Sequence, residues 1–338
     1  MRPRRRSGRW QRALLGGAAV AAGCAGAPAP RRVRAAAAAV DWSGVVAPAA
    51  LRGMRSSAWV PVVVGPFQRV YRPAGTRYLN DHTLVRGPGG RWHLFGITHE
   101  SDGDPSRELS LLHATAPALF GPWSDAGDAL HSQPPEEALW APFVLPIGAR
   151  RWAMFYYGNT PDHRVLRAES ADLHRWERSP LSAPGGRDPF VLRVGDVWYL
   201  YSVGADEDRE LGQILVSESR DLVRWSEARV ALTDPVASFG WGNLESPMVV
   251  RRGGEFYLFV TRTSPSPHDY ARTVVFASGD PTRFAWEPVT ELMAHAAEVI
   301  EERGEWFITS AGWTAQMGER WRGLSVAPLA WAPRAALR

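Results

Sequence analysis

The chain has 338 residues, 45% of them hydrophobic and 22% charged, with one Cys and no Lys. This is the composition of a well-cored globular protein, and a lone cysteine excludes an intramolecular disulfide. The formal charge of +4 becomes −2 once the six Arg of the first 24 residues are set aside, so the body lacks a nucleic-acid binder's basic footprint.

Those first 24 residues have the layout of a secretory signal: an Arg-rich start, an apolar stretch from Ala13 to Gly23, then small residues. The apolar stretch is too short to span a bilayer, and nothing later is long and apolar enough to do so. Ala21-Ala22-Gly23-Cys24 resembles a lipobox, in which Cys24 would be lipidated and become the mature N-terminus. The other reading is an ordinary cleaved signal with Cys24 incidental. The chain is thus expected to be exported, as a cell-surface lipoprotein or a secreted protein, touching membrane only through a lipid at Cys24. Residues 25–39, rich in Ala, Pro and Arg, read as a flexible tether. Residues 40–338 are expected to form one domain, with 40–69 packing against it or helping to close it.

From residue 80 onward one pattern recurs five times: a short apolar strand, a Gly-containing turn, and a strand opening on an aromatic. The openings are Trp92, Trp152, Trp198, Phe256 and Trp306, at a mean period of about 53 residues. Between them runs a second pattern of a strand, a polar turn and a closing Trp, clearest from Val165 to Trp176, Ile214 to Trp225 and Val274 to Trp286. Leu109 to Trp123 and Leu324 to Trp331 are weaker copies. Each period holds about four short strands and no long amphipathic helix, which predicts an all-β, five-bladed β-propeller. Most of the tryptophans then hold repeat positions and are expected to pack blades.

In a propeller the first strand of each blade lines the central channel, so residues at its start face one shared mouth. The five blades place there Asn80-Asp81-His82-Thr83, Trp140-Ala141-Pro142-Phe143, Arg187-Asp188-Pro189-Phe190, Glu245-Ser246-Pro247-Met248 and His295-Ala296-Ala297-Glu298. Three blades aim a carboxylate at one axis, through Asp81, Asp188 and Glu245. Like charges gathered there repel, and blade 2 manages with Ala141, so the repeat itself does not demand the acids. Glycoside cleavage does: one carboxylic acid protonates the departing oxygen while an ionised carboxylate attacks the anomeric carbon or activates water. A third can tune the acid. No phosphate loop, dinucleotide fingerprint or Gly-x-Ser-x-Gly elbow is present, and the histidines lack metal-ligand spacing.

At these residues the chain resembles the five-bladed furanosidase propellers of glycoside hydrolase families 43, 32 and 68. Asn80-Asp81 is similar to the Asn-Asp opening of family 32, although His82-Thr83 replaces the Pro-Asn that follows there. Arg187-Asp188-Pro189 matches the Arg-Asp-Pro of families 32 and 68. Glu245-Ser246-Pro247 is similar to the Glu-Cys-Pro of family 32 and the Glu-Gly-Pro of family 43, and Trp140-Ala141-Pro142 resembles the blade 2 motif of family 43. No single family's full set is present, and no residues remain for the C-terminal β-sandwich usual in family 32.

The resemblance implies Asp81 as nucleophile or general base, Glu245 as general acid, and Asp188 as the residue that stabilises the transition state and tunes Glu245. Arg187 would clamp sugar hydroxyls or Asp188. Asn80, Trp140, Trp241 and Asn243 are rim candidates for sugar contact. His295 could match a family 43 histidine beside a bound calcium or water, or be a core histidine; Glu298 could bind substrate or pair with an Arg. No cofactor is required, although the resemblance leaves room for a structural calcium in the channel. The expected substrate is a terminal furanoside or related sugar, arabinosides or xylosides favoured slightly over fructosides, with the chain monomeric. A transglycosidase or phosphorylase on this scaffold, or a non-catalytic carbohydrate-binding propeller at the cell surface, are the alternatives.

Overall fold

The computed structural model describes residues 57–100, 105–235, 244–263, 271–312 and 322–336. The signal, the tether, Cys24 and the rim candidates Trp241 and Asn243 lie outside these residues.

Chain order begins with β1 (Trp59–Val63) and β2 (Gln68–Tyr71). Blade 1 follows as β3 (His82–Arg86), β4 (Trp92–Thr98), β5 (Ser110–Ala116) and β6 (Ser124–His131). Blade 2 is β7 (Trp140–Gly148), β8 (Arg151–Tyr157), β9 (Val165–Ser170) and β10 (Glu177–Ala183). Blade 3 is β11 (Arg187–Val194), β12 (Val197–Asp206), β13 (Leu211–Ser219) and β14 (Arg229–Thr233). Blade 4 is β15 (Leu244–Arg252), β16 (Glu255–Arg262), β17 (Arg272–Ser278) and β18 (Thr290–Met293). Blade 5 is β19 (Val299–Glu302), β20 (Glu305–Ser310) and β21 (Leu324–Pro333).

Blades 1 to 4 are antiparallel meanders, each with its strands in chain order. Blade 5 takes its outermost strand from the other end of the chain: β1 pairs β21 from Trp59↔Pro333 to Val63↔Leu329. Trp331 therefore lies within β21 and not after a turn, which is why Leu324 to Trp331 is a poor copy of the second pattern. Five apolar clusters join neighbouring sheets. Phe95 packs with Met154, Phe155 with Leu200, Tyr201 with Leu258, Phe259 with Ile308, and Phe307 with Leu94. Each blade thus shares a core with the next, and the fifth shares one with the first. This is the closed five-bladed propeller that the repeat implies.

The repeat tryptophans are part of these clusters, Trp92, Trp152 and Trp331 fully buried and Trp123, Trp176, Trp198, Trp225, Trp286 and Trp306 packed against them. Wide rings fill the wedge between twisted sheets, where burying large apolar area stabilises most. The Ser-x-Asp-Leu turns cap themselves. Ser170 Oγ accepts from Leu173 N at 2.8 Å and Asp172 Oδ1 from Arg175 N at 2.8 Å; Ser219 and Asp221 repeat this in blade 3.

Candidate active site

The innermost strands carry one shared irregularity, and it builds the site. Ala141, Asp188, Ser246 and Ala296 occupy one register in blades 2 to 5, and all have left-handed backbone, with φ of 44°, 57°, 50° and 48°. In blades 2 to 4 the pairing with the second strand slips there, between Trp140 and Phe143, Arg187 and Phe190, and Glu245 and Met248. A regular strand sends neighbours to opposite faces, whereas a bulge with a left-handed residue re-aims one of them. Residues at two successive positions, such as Glu245 and Ser246, can then reach the axis together.

Close backbone approach holds the segments in place. A Cβ on Gly186 would lie 1.8 Å from the Val203 carbonyl oxygen, so only glycine lets the chain ahead of Arg187 lie against β12. In blade 1 a Cβ on Gly96 would meet Leu79 at 2.3 Å and the Asp81 carbonyl at 3.1 Å. With glycine there, Ile97 N donates to that carbonyl at 2.9 Å.

The three acids converge. Arg187 Nη1 donates to Asp188 Oδ2 at 2.5 Å and stands 3.4 Å from Glu245 Oε1, while its Nη2 donates to the Leu244 carbonyl at 2.9 Å. Ser246 N donates to Asp188 Oδ2 at 3.1 Å, and the Ser246 hydroxyl donates to Asp81 Oδ1. His295 Nε2 lies 3.6 Å from Glu245 Oε2, with Nδ1 against the Ala311 carbonyl at 2.6 Å. Asp81 and Asp188 are buried, and the Glu245 side chain keeps 21% of its surface exposed. Glu245 is therefore the carboxylate that opens most to solvent.

Burial and mutual repulsion set the charges. Burial pushes Asp188 up to about 7, with Asp81 and Glu245 adding to the rise and Arg187 opposing it. Burial also raises Asp81; Glu245 adds to this, while His295 and the Ser246 hydroxyl pull the other way. On Glu245 burial again acts upward and most strongly, but Arg187 and His295 outweigh it and hold that carboxyl below its usual range. The cluster can therefore keep a proton near neutrality, at Asp188.

Beside the carboxylates a cavity of about 30 Å³, lined by Asp81, His82, Phe143, Asp188, Ser246 and Glu298 among others, has room for about one water. Glu298 does not pair with an Arg among the described residues. Its Oε2 accepts from Leu84 N in blade 1 at 2.9 Å, and burial pushes it up to about 8. His82 hydrogen-bonds Thr309 in blade 5 at 2.8 Å, and burial brings it down to about 3. These two residues staple the first and last blades together, which accounts for the unusual histidine after Asp81.

Among the rim candidates Trp140 is half-buried and stacks on Tyr157 at 5.7 Å, which stacks in turn on His163 at 6.3 Å. Asn80 is buried, its N–H spent on the Ile97 carbonyl at 3.0 Å and its Oδ1 without a partner among the described residues. Calcium wants six to eight oxygen ligands. No three His, Cys, Asp or Glu among the described residues could share a metal, and His295 brings one ring nitrogen, so these side chains alone do not form a calcium cage. A larger cavity of about 470 Å³ lies away from the acids, on the outer part of blade 2. Of its two carboxylates, Glu136 is bound by Arg178 at 2.6 Å and Tyr156 at 2.8 Å, and Asp162 accepts from the Thr160 hydroxyl at 2.7 Å.

Ser246 and the Tyr157–His163 extension of Trp140 were missed by sequence reasoning. Ser246 had a usable signal, since it shares the register of Asp81 and Asp188.

No protein-family model matches the chain, and no curated protein matches it. Solved structures do. A GH43 β-xylosidase/α-arabinofuranosidase from a compost microbial metagenome, crystallised with xylotriose in calcium-free form, is 15% identical with a TM-score of 0.57, over 80% of this chain and 96% of that one. The GH43_1 enzyme from Xanthomonas citri complexed with xylotriose is 16% identical with a TM-score of 0.58, over 79% of this chain and 90% of its own. The Bombyx mori GH32 β-fructofuranosidase BmSUC1 is 18% identical with a TM-score of 0.61; the match covers 79% of this chain and 65% of the insect one. At such identities the likeness is one of fold.

Proposed function

We propose that the chain is an exported glycoside hydrolase that removes terminal furanosyl or related residues, arabinosides or xylosides ahead of fructosides. One observation carries this reading: Asp81, Asp188 and Glu245, from three blades, meet in one hydrogen-bonded cluster around Arg187 and Ser246. Sugar-cleaving neighbours that share the fold support it.

Asp81, ionised, serves as nucleophile or general base. Glu245, the most exposed of the three, reaches the departing oxygen and donates the proton. Asp188, beside both, holds the cluster's proton before the reaction and, ionised once Glu245 has taken that proton up, stabilises positive charge developing on the sugar ring. Arg187 opposes protonation of Glu245. A sugar hydroxyl that takes over part of the guanidinium's hydrogen bonding loosens that hold. Burial, the strongest influence on Glu245, then acts with less opposition, and the carboxyl takes up the proton it must deliver as substrate binds.

The test is turnover of aryl arabinofuranosides, aryl xylosides, sucrose, levan and arabinan by the purified chain, beside Asp81→Asn and Glu245→Gln. Cleavage of one substrate, lost by more than about a thousandfold in both variants, is the expected result. Turnover retained by both folded variants overturns it.

A further inference from the structure

The three carboxylates are tied together partly by a residue that is not an acid. Ser246 follows Glu245 on β15, and its left-handed backbone makes a double contact available. Its N–H donates to Asp188 Oδ2 at 3.1 Å, and its hydroxyl donates to Asp81 Oδ1. An L-residue enters this region at some cost. The fold imposes that cost on several blades, since Ala141 and Ala296 adopt the same conformation at the same register. The amide therefore comes with the bulge, whereas the hydroxyl is peculiar to position 246. Among the described residues it is the one side-chain hydrogen-bond donor to the Asp81 carboxylate.

We propose that Ser246 is a positioning residue, whose hydroxyl pins one oxygen of the Asp81 carboxylate while its amide fixes Asp188 beside it. The inference rests on the catalytic reading of the three acids and deepens it. A carboxylate turns easily about its last torsion, so pinning Oδ1 gives Oδ2 a fixed direction from which to attack carbon or take a proton from water. A hydrogen bond from a hydroxyl also favours the ionised carboxylate over the acid. That matters here, because burial and the neighbouring Glu245 draw Asp81 towards protonation, while His295, the Ser246 hydroxyl and Arg187 oppose it, the hydroxyl as the one direct side-chain hydrogen bond among the described residues. Asp81 is thereby kept competent as a nucleophile or base at a pH where a proton still resides elsewhere in the cluster.

Ser246→Ala is the informative variant. Alanine already holds this backbone conformation at 141 and 296, so the substitution removes the hydroxyl and leaves the amide in place. The expected result is a fall in kcat of about tenfold or more with little change in KM. The acidic limb of the pH profile of kcat/KM moves to higher pH, and Ser246→Cys, a weaker donor, lies between. A role confined to packing would lower the thermal midpoint and leave the acidic limb where it was, and that outcome overturns the proposal.

A carbon-13 titration of the Asp81 carboxyl reads the same effect without substrate. An upward move of its midpoint in Ser246→Ala supports the proposal, and coincident curves overturn it. Asp81→Asn and Glu245→Gln separate the two ways of failing. If both retain activity, the catalytic reading falls and the titration alone decides whether Ser246 holds Asp81. If both lose it while Ser246→Ala keeps the parental pH profile, the role of Ser246 alone falls.

Discussion

Arg187 on β11 reaches across to Glu245 on β15, its Nη1 3.4 Å from Oε1, while the same nitrogen donates to Asp188 at 2.5 Å. One largely buried cation thus serves two carboxylates from adjacent blades. Both lose a stabilising charge if it is removed.

Arg187→Ala is expected to lower kcat/KM by about a hundredfold or more, with Arg187→Lys intermediate, because a point charge cannot reproduce the guanidinium's fork. Freed of the cation, Asp188 and Glu245 should both titrate higher. Stability should then fall progressively as pH rises above the ordinary carboxylate range, since uncompensated buried carboxylates become harder to ionise. Thermal midpoints of parent and variant between pH 5 and pH 9 check this; curves separated by a constant amount would contradict it.

The parent's own pH profile should be a bell. Activity is expected to rise as Asp81 ionises, above the ordinary aspartate range, and to fall again as pH passes about 7, where the Asp188 carboxyl gives up its proton. A profile still flat two units above that point would contradict the shared-proton account.

Gly186→Ala is expected to destabilise by about 1–3 kcal/mol, because its Cβ has no room beside the Val203 carbonyl. Denaturant unfolding gives the stability loss. Activity measured well below the transition should fall further than the unfolded fraction explains, because Arg187 and Asp188 ride on the displaced segment.

Much of this was legible in the sequence. The blades announced themselves because each repeats an aromatic opening such as Trp152 or Trp198, and blades 2 and 3 add a self-capping Ser-x-Asp-Leu turn. Asp81, Asp188 and Glu245 stood out because an acid at the same strand entrance is unneeded in blade 2. The left-handed bulge was less visible: nothing in Ala141 or Ser246 as residue types asks for positive φ, which tertiary packing imposes. The staples His82 to Thr309 and Glu298 to Leu84 join positions more than 200 residues apart, a separation that local pattern cannot register.

One of those staples can be read by titration. Glu298 is pushed up to about 8 in the folded protein, above its ordinary value of 4.5. The folded state therefore binds more protons than the unfolded chain between these values, and stability from this group declines as pH rises from about 4.5 to 8. Glu298→Gln is expected to flatten that stretch of the midpoint-against-pH curve while keeping the variant folded at neutral pH. An unchanged slope would mean that the carboxyl ionises freely.

The seam between β1 and β21 makes the two ends of the domain depend on each other. Trp59 finds its partner Pro333 only after nearly all of the sequence between them is available. Contacts of that separation carry the largest loop-closure entropy and slow folding. During synthesis blades 1 to 4 can each form from their own strands, but the first-made strand must wait for the last. Until then its edge stands open to mispairing with another copy, so the period before closure is when this chain is most exposed to aggregation.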